Sequence, residues 1–333
     1  MQQQTGPLRR CMGVISAACV RFVFGKTSLA LVFLFFFVCE SNSSGTAELI
    51  CAKFTLFCCL CAAALLVHTL PQGPPVRGVT SLAGEIYLFR LLRDKERDQV
   101  EVYDMATRHL HRCLTLPNVV VFIDITSCEH CRCLYIGDHN AECVHRLDVH
   151  GAVTRWTVND KPWRLSVNAA HNVLVTCGKV RKVKEFTSDG DIIREISLPD
   201  DISSPWHAIQ TRSGQFIVCH GGHYDPVHRV CMISDDGRHI VHSHGGQRGS
   251  DTGQYDMPTL LAVDDNEFVF VLDHNNRRVT LLSPTLEYVR QVVSRDQLMG
   301  EPFRLHIDTQ RRLLYVAVNE WIEWKGRLIV FSV

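Results

Sequence analysis

Four prolines, Pro162, Pro205, Pro258 and Pro302, each open a similar segment, and the residues just after them recur in chemical type. Two positions on stand Arg164, His207, Leu260 and Arg304; one position on, in three of the four, stand Trp163, Trp206 and Phe303. Lys161 precedes its proline, and Lys179 lies in a loop of the same segment. A guanidinium grips a carboxylate or phosphate through parallel N–H donors, and an aromatic ring offers a stacking face. If the four segments stand side by side, these residues, Leu260 aside, form one basic patch bordered by aromatics, suited to an acidic peptide or to single-stranded RNA.

The segments must therefore be placed by a repeat. The proline spacings are 43, 53 and 44 residues. Each unit reads as an alternating strand, a polar turn, an apolar strand, a polar loop, an Arg/Val-led strand and a turn with Gly or Pro. Short strands with regular turn signals indicate an all-β array, and four strands per forty-odd residues is the size of one propeller blade. Two units with weaker prolines precede these, at residues 77–116 and 118–158, which makes six. The expected fold is all-β, a six-bladed β-propeller with four-stranded antiparallel blades, in which LLAVD of the fifth unit is innermost and EYVRQVV outermost. Such blades cannot bury both faces alone, so stacking around an axis supplies the core. The chain ends at GRLIVFSV, a third strand of the sixth unit. Either residues just before Arg77 supply its fourth strand or the last blade has three.

The fifth unit resembles the NHL-repeat family, the C-terminal domain of tripartite-motif proteins. The matching residues are Pro258, Ala262-Val263-Asp264, Phe270-Val271-Leu272-Asp273 and Asn275-Asn276-Arg277-Arg278-Val279, after the glycine-bearing stretch GGQRGSDTGQYDMP. The second unit keeps Leu134 to Asp138 and Val144 to Leu147, and the third keeps its proline and Val180 to Val183. The resemblance implies a propeller that binds protein or RNA. No RING-like array, B-box or coiled coil precedes it, so ligase activity is not implied.

Residues with catalytic or metal-binding potential also have plainer roles. His207 and His306 lie two and four residues after their prolines, hence on one face of alternating strands, but no third inward histidine joins them. Cys128 and Cys131 form a C-x2-C that could hold zinc, with Cys133 and Cys143 nearby, yet no second pair closes a tetrahedron. There is no G-x-S-x-G, no phosphate-binding glycine loop and no Ser, His and acid set. Asp138 and Asp273 read as acceptors that fix loops. No catalytic residue, metal, cofactor or small-molecule substrate is assigned. The expectation is a non-enzymatic binding platform whose rim, Arg164, His207, Arg304, Lys161, Lys179, Trp163, Trp206 and Phe303, recognises a protein or peptide, with RNA second. The alternative is a metal-dependent hydrolase or lyase with its site in the channel.

Lys plus Arg equals Asp plus Glu at 35 each, so any electrostatic partner must be met by a local patch. Of 15 cysteines, eight follow residue 62, mostly inside apolar runs, which fits buried thiols better than a disulfide framework. Residues 1–70 form an apolar N-terminal segment, expected to be helical, residues 71–76 a proline-bearing linker, and residues 77–333 the propeller. The segment holds SLALVFLFFFVC and a second apolar run at residues 49–67. Three readings stand: a membrane hairpin with the propeller in the cytoplasm, a cleaved signal followed by an anchor, or residues unrelated to the domain. The first two make the protein membrane-associated.

Overall fold

The computed structural model describes residues 64–92, 99–115 and 121–333. They form six separate four-stranded antiparallel sheets, the blades of a propeller. The first blade comprises β2 (Val76–Leu82), β3 (Glu85–Arg90), β4 (Gln99–Asp104) and β5 (Leu110–Thr115). The second comprises β6 (Phe122–Cys128), β7 (Cys133–Asp138), β8 (Cys143–Asp148) and β9 (Val153–Thr157). The third comprises β10 (Arg164–Val167), β11 (Val173–Cys177), β12 (Lys182–Phe186) and β13 (Ile192–Ser197). In the fourth are β14 (Pro205–Gln210), β15 (Phe216–His220), β16 (Val227–Ile233) and β17 (Ile240–Gln247). The fifth holds β18 (Pro258–Val263), β19 (Val269–Asp273), β20 (Arg278–Leu282) and β21 (Tyr288–Val293). β22 (Glu301–Asp308), β23 (Leu313–Glu320), β24 (Lys325–Ser332) and β1 (Leu65–Thr69) make the sixth.

The first strand of each blade touches the first strands of both neighbours, so β2, β6, β10, β14, β18 and β22 ring the axis. Burial follows from that position. Second strands such as VFVLD of β19 are buried along their whole length and apolar up to the closing Asp273, whereas outer strands such as IIREIS of β13 are mostly exposed, with Ile196 the one buried residue. The core is a set of six layers, each spanning one junction between blades. Leu260 and Leu272 pack on Leu305 and Val316 at one junction. At another, the rings of Phe89 and Phe122 stack with centroids 3.3 Å apart.

Ring closure uses the N-terminal side. β1 runs antiparallel to β24, pairing Leu65 with Ser332 and Thr69 with Ile329. Of the two expectations for the sixth blade, the one in which residues before Arg77 supply its fourth strand is the one seen, so the propeller starts before residue 77; LLVHT gave no separate strand signal because it continues the apolar run of residues 49–67. Residues 65–67 of that run are extended here. Arg90, fully buried, then latches the segment between β1 and β2: it donates to the carbonyls of Pro71, Pro74 and Gly326 and pairs with Glu101 at 2.9 Å. Gly73 and Gly326 exchange backbone hydrogen bonds, and the Asn319 amide bonds both the N–H and the C=O of Val76. Of the apolar segment expected at residues 1–70, residues 1–63 lie outside the described residues. Among those described, no helix is long and apolar enough to cross a membrane.

Candidate functional site

The inner strands deliver side chains to the axis in layers. In five blades the first strand begins with an irregularity in register, which re-aims one residue: Arg77, Ile123, Trp206, Thr259 and Phe303. Together with Trp163 these six line the mouth of the propeller, a cavity of about 340 Å3. Two loop histidines, His139 and His274, join them. Each follows an aspartate at the end of a second strand and hydrogen-bonds through Nδ1 to the next blade's proline carbonyl, Pro162 at 2.9 Å and Pro302 at 2.7 Å. Those aspartates have the loop-fixing role expected of them. Asp138 accepts from the backbone N–H groups of Val121, Asn140 and Ala141, and Asp273 accepts from Asp256, Asn276 and Arg278.

One position further along the strands comes the second layer: Gly78, Asp124, Arg164, His207, Leu260 and Arg304. Its arginines are not on an open rim. Arg304 is 2% exposed and Arg164 4%. Arg304 Nε lies 3.3 Å from Asp124 Oδ1, and its guanidinium also donates to the carbonyls of Phe303 and Ile123. Glu301, the acid nearest in sequence, instead faces Arg277. Arg164 donates to the Trp163 carbonyl at 2.8 Å, and its charge lies 6.0 Å from the Trp206 ring centroid.

His207 and His306 both line a second cavity of about 180 Å3 within the channel. His207 Nδ1 accepts the Leu261 N–H at 3.1 Å, which leaves Nε2–H directed at the Leu165 carbonyl at 3.3 Å. His306 Nε2 bonds the Ser81 hydroxyl at 2.8 Å. Burial pushes both rings down to about 4, so they are neutral at pH 7. A channel metal at His207 would have to displace both of its hydrogen bonds.

Of the eight expected rim residues, Trp163, Trp206, Phe303 and Arg164 line the mouth, and His207 and Arg304 line the channel beneath it. Lys161 and Lys179 are exposed and line neither cavity; Lys179 sits in a 3-10 turn, Gly178–Val180. The aromatic border is in two parts, one shared by the third and fourth blades and one within the sixth, with Thr259 of the fifth blade between them. Trp163 meets Trp206 edge-on with centroids 4.8 Å apart, and Phe303 meets Trp321 at 5.4 Å.

Arg77, Asp124, His139 and His274 were not anticipated. Arg77 and Asp124 sit in the blades with weaker prolines, although extending the repeat register would have reached them. The two histidines were visible as a repeated Asp-His-Asn at residues 138–140 and 273–275. Also unanticipated are the tips of other loops joining second to third strands. Since His139 and His274 place such loops at the mouth, the equivalent loops of the fourth and sixth blades flank it, and they carry Tyr224, 93% exposed, and Ile322, 100% exposed.

Among the described residues one group of three metal-ligating side chains is close-set, Asp138, Cys143 and His145, all buried within the second blade and away from the channel. The C-x2-C pair is arranged differently: Cys128 Sγ accepts the Cys131 N–H at 3.3 Å and lies 3.8 Å from His171 Nδ1.

No known family profile and no curated protein matches the chain. Solved structures do. Virginiamycin B lyase from Staphylococcus aureus superposes with a TM-score of 0.54 at 12% identity, over 79% of this chain and 88% of that one. Hydrazine synthase from Kuenenia stuttgartiensis gives 0.53 at 12% identity, over 79% and 97%. At such identity the likeness is one of fold, and the chain is a six-bladed β-propeller with four-stranded antiparallel blades.

Proposed function

We propose that this propeller, of NHL type by the residues of its fifth blade, is a non-enzymatic binding platform that recognises a protein or peptide at its mouth. The observation that carries this reading is the concentration of unsatisfied binding surface on one face. Tyr224 and Ile322 project from loops around a cavity walled by Trp163, Trp206 and Phe303, with Trp321 continuing the wall outward. Large apolar side chains held at loop tips on a rigid scaffold are costly to expose and mark interaction sites. Aromatic anchors beside arginine are the residue types that dominate protein interfaces. The channel histidines favour the same reading over metal-dependent chemistry, since each ring already bonds a neighbouring inner strand.

Panning a displayed peptide library against the full-length chain tests this. Selected peptides should lose at least about tenfold in affinity for the variants Ile322→Ser and Tyr224→Ser, as expected for interface anchors, while thermal unfolding stays unchanged. Failure to select any peptide whose binding responds to these variants, or to Trp206→Ala, would remove the reading.

A further inference from the structure

The mouth carries more positive charge than its own residues balance. Asp124 pairs with Arg304 and its charge also acts on Arg164, so with Arg77 three guanidiniums share one carboxylate, an excess of two positive charges. Above that pair, Arg77 and Arg164 line the cavity, and neither forms an ion pair with any described residue. Arg164 is almost fully buried with a single hydrogen bond, to a backbone carbonyl, and its Nε has no acceptor; Arg77 Nε is likewise buried without one. A buried guanidinium lacking a counter-charge is expensive. The cost is evident in the titration of Arg164 and Arg304, which burial lowers from the usual arginine range; the neighbouring Arg164 charge lowers Arg304 further. Two inward cations, the Trp163 and Trp206 rings with centroids 4.8 Å apart, and about 340 Å3 of space describe a receptor for an anion on an organic stem.

We propose that the mouth is a phosphoryl-binding site: Arg77 and Arg164 grip the dianionic head of a phosphate monoester borne on a peptide, while Trp163 and Trp206 wall the side chain that carries it. The charge count selects this class. A phosphate monoester brings nearly two negative charges at neutral pH, against the two uncompensated guanidiniums, whereas a carboxylate brings one. A nucleic-acid strand also brings only one charge per phosphate. The peptide carrier rests on the platform reading above; the phosphoryl site itself stands on the charge imbalance alone.

The test uses the full-length chain at low ionic strength, with inorganic phosphate, phenyl phosphate, acetate and a single-stranded oligonucleotide as probes. Tryptophan fluorescence and the thermal midpoint are the readouts, since two indoles line the cavity. Phosphate should change the fluorescence saturably and raise the midpoint, as any ligand of the folded state does. Phenyl phosphate should bind at least about tenfold tighter than phosphate through its ring, and acetate should have little effect. Arg164→Met should lose the phosphate response while its unliganded midpoint stays level or rises, because an unbalanced charge has been removed. That rise separates a binding role from a structural one. Arg77→Met, at a less buried position, gives the same test should the first variant fold poorly. No response to either phosphate, or wild-type binding by both variants, would overturn the site. Tighter binding of the oligonucleotide than of phenyl phosphate would overturn the peptide carrier. Peptides selected by the rim loops whose binding ignores phosphate and Arg164→Met would leave the platform standing and sink the phosphoryl site; a phosphate response with no selectable peptide would do the reverse.

Discussion

Arg304 of the sixth blade reaches Asp124 of the second, Nε to Oδ1 at 3.3 Å, across the first blade, where the equivalent position is Gly78. The glycine brings no side chain between them, and a Cβ there would meet Ile125 Cγ2 at 2.6 Å. The pair thus links blades that are not adjacent and ties down the centre of the ring.

Removing one member should cost far more than removing both. Asp124→Asn keeps an oxygen for the Leu165 N–H but leaves Arg304 buried without its counter-charge, for an expected loss of about 3–5 kcal/mol. The double variant with Arg304→Met should recover most of that. Urea unfolding of the two singles and the double gives the comparison directly, through midpoints at constant slope. A loss in the double equal to the sum of the two single losses would show that the pair is energetically silent.

Arg90 should govern closure. Arg90→Lys keeps the charge but cannot reach the Pro71, Pro74 and Gly326 carbonyls together from a single ammonium, and should cost about 2–4 kcal/mol. Limited proteolysis is the sensitive measure. The variant should be cut within residues 64–75 well before the wild-type chain, with the remaining blades still protected.

Stability should fall as pH drops from about 6.5 toward 4. Burial holds His207, His220 and His306 at about 4 in the fold, against an ordinary 6.5, so the unfolded chain takes up protons first. Their contribution is complete above 6.5, declines through this window and levels off below 4. Asp273, which burial raises to about 6 against the pull of Asn276 and Arg278, slopes the other way between 3.8 and 6, as one group against three. Glu85, held down to about 2 by Arg112, matters only below the histidine window, where its contribution is lost as pH falls from 4.5 toward 2. Chemical unfolding at a series of pH values should show the decline, and His306→Asn should make it shallower.

Thiol labelling should separate one cysteine from the rest. All eight described cysteines are free, and Cys113 is the exposed one. Burial pushes the thiols of Cys177 and Cys219 up to about 12 and those of Cys128 and Cys231 to about 11, which suppresses the reactive thiolate. Native alkylation followed by mass spectrometry should modify Cys113 first, and the four buried thiols only after unfolding.

The blades were legible because periodicity records burial. The four spaced prolines located the inner strands of the last four blades, and the second-layer position two residues on was correctly shared among Arg164, His207 and Arg304. What the pattern could not convey was depth. A basic residue beside an inner strand looks the same whether it is buried at the axis, as Arg164 is, or exposed, as Lys161 is; which of the two holds depends on where the strand begins, and composition does not show that. Asp124 escaped notice because its partner lies 180 residues away, in a blade with a different opening residue. Tyr224 and Ile322 escaped because an aromatic or apolar residue between two strands reads as core until the loop is seen to project.

The pairing of β1 with β24 has a temporal consequence. The strand made first must wait for the strand made last, so on the ribosome the early blades can form only an open arc whose edge at β24 does not yet exist. The mouth, whose wall includes Phe303 and whose charge pair needs Arg304, is therefore assembled only when synthesis has passed the final blade. A nascent chain stalled before that point would hold Asp124 and Arg164 in place with no finished receptor around them.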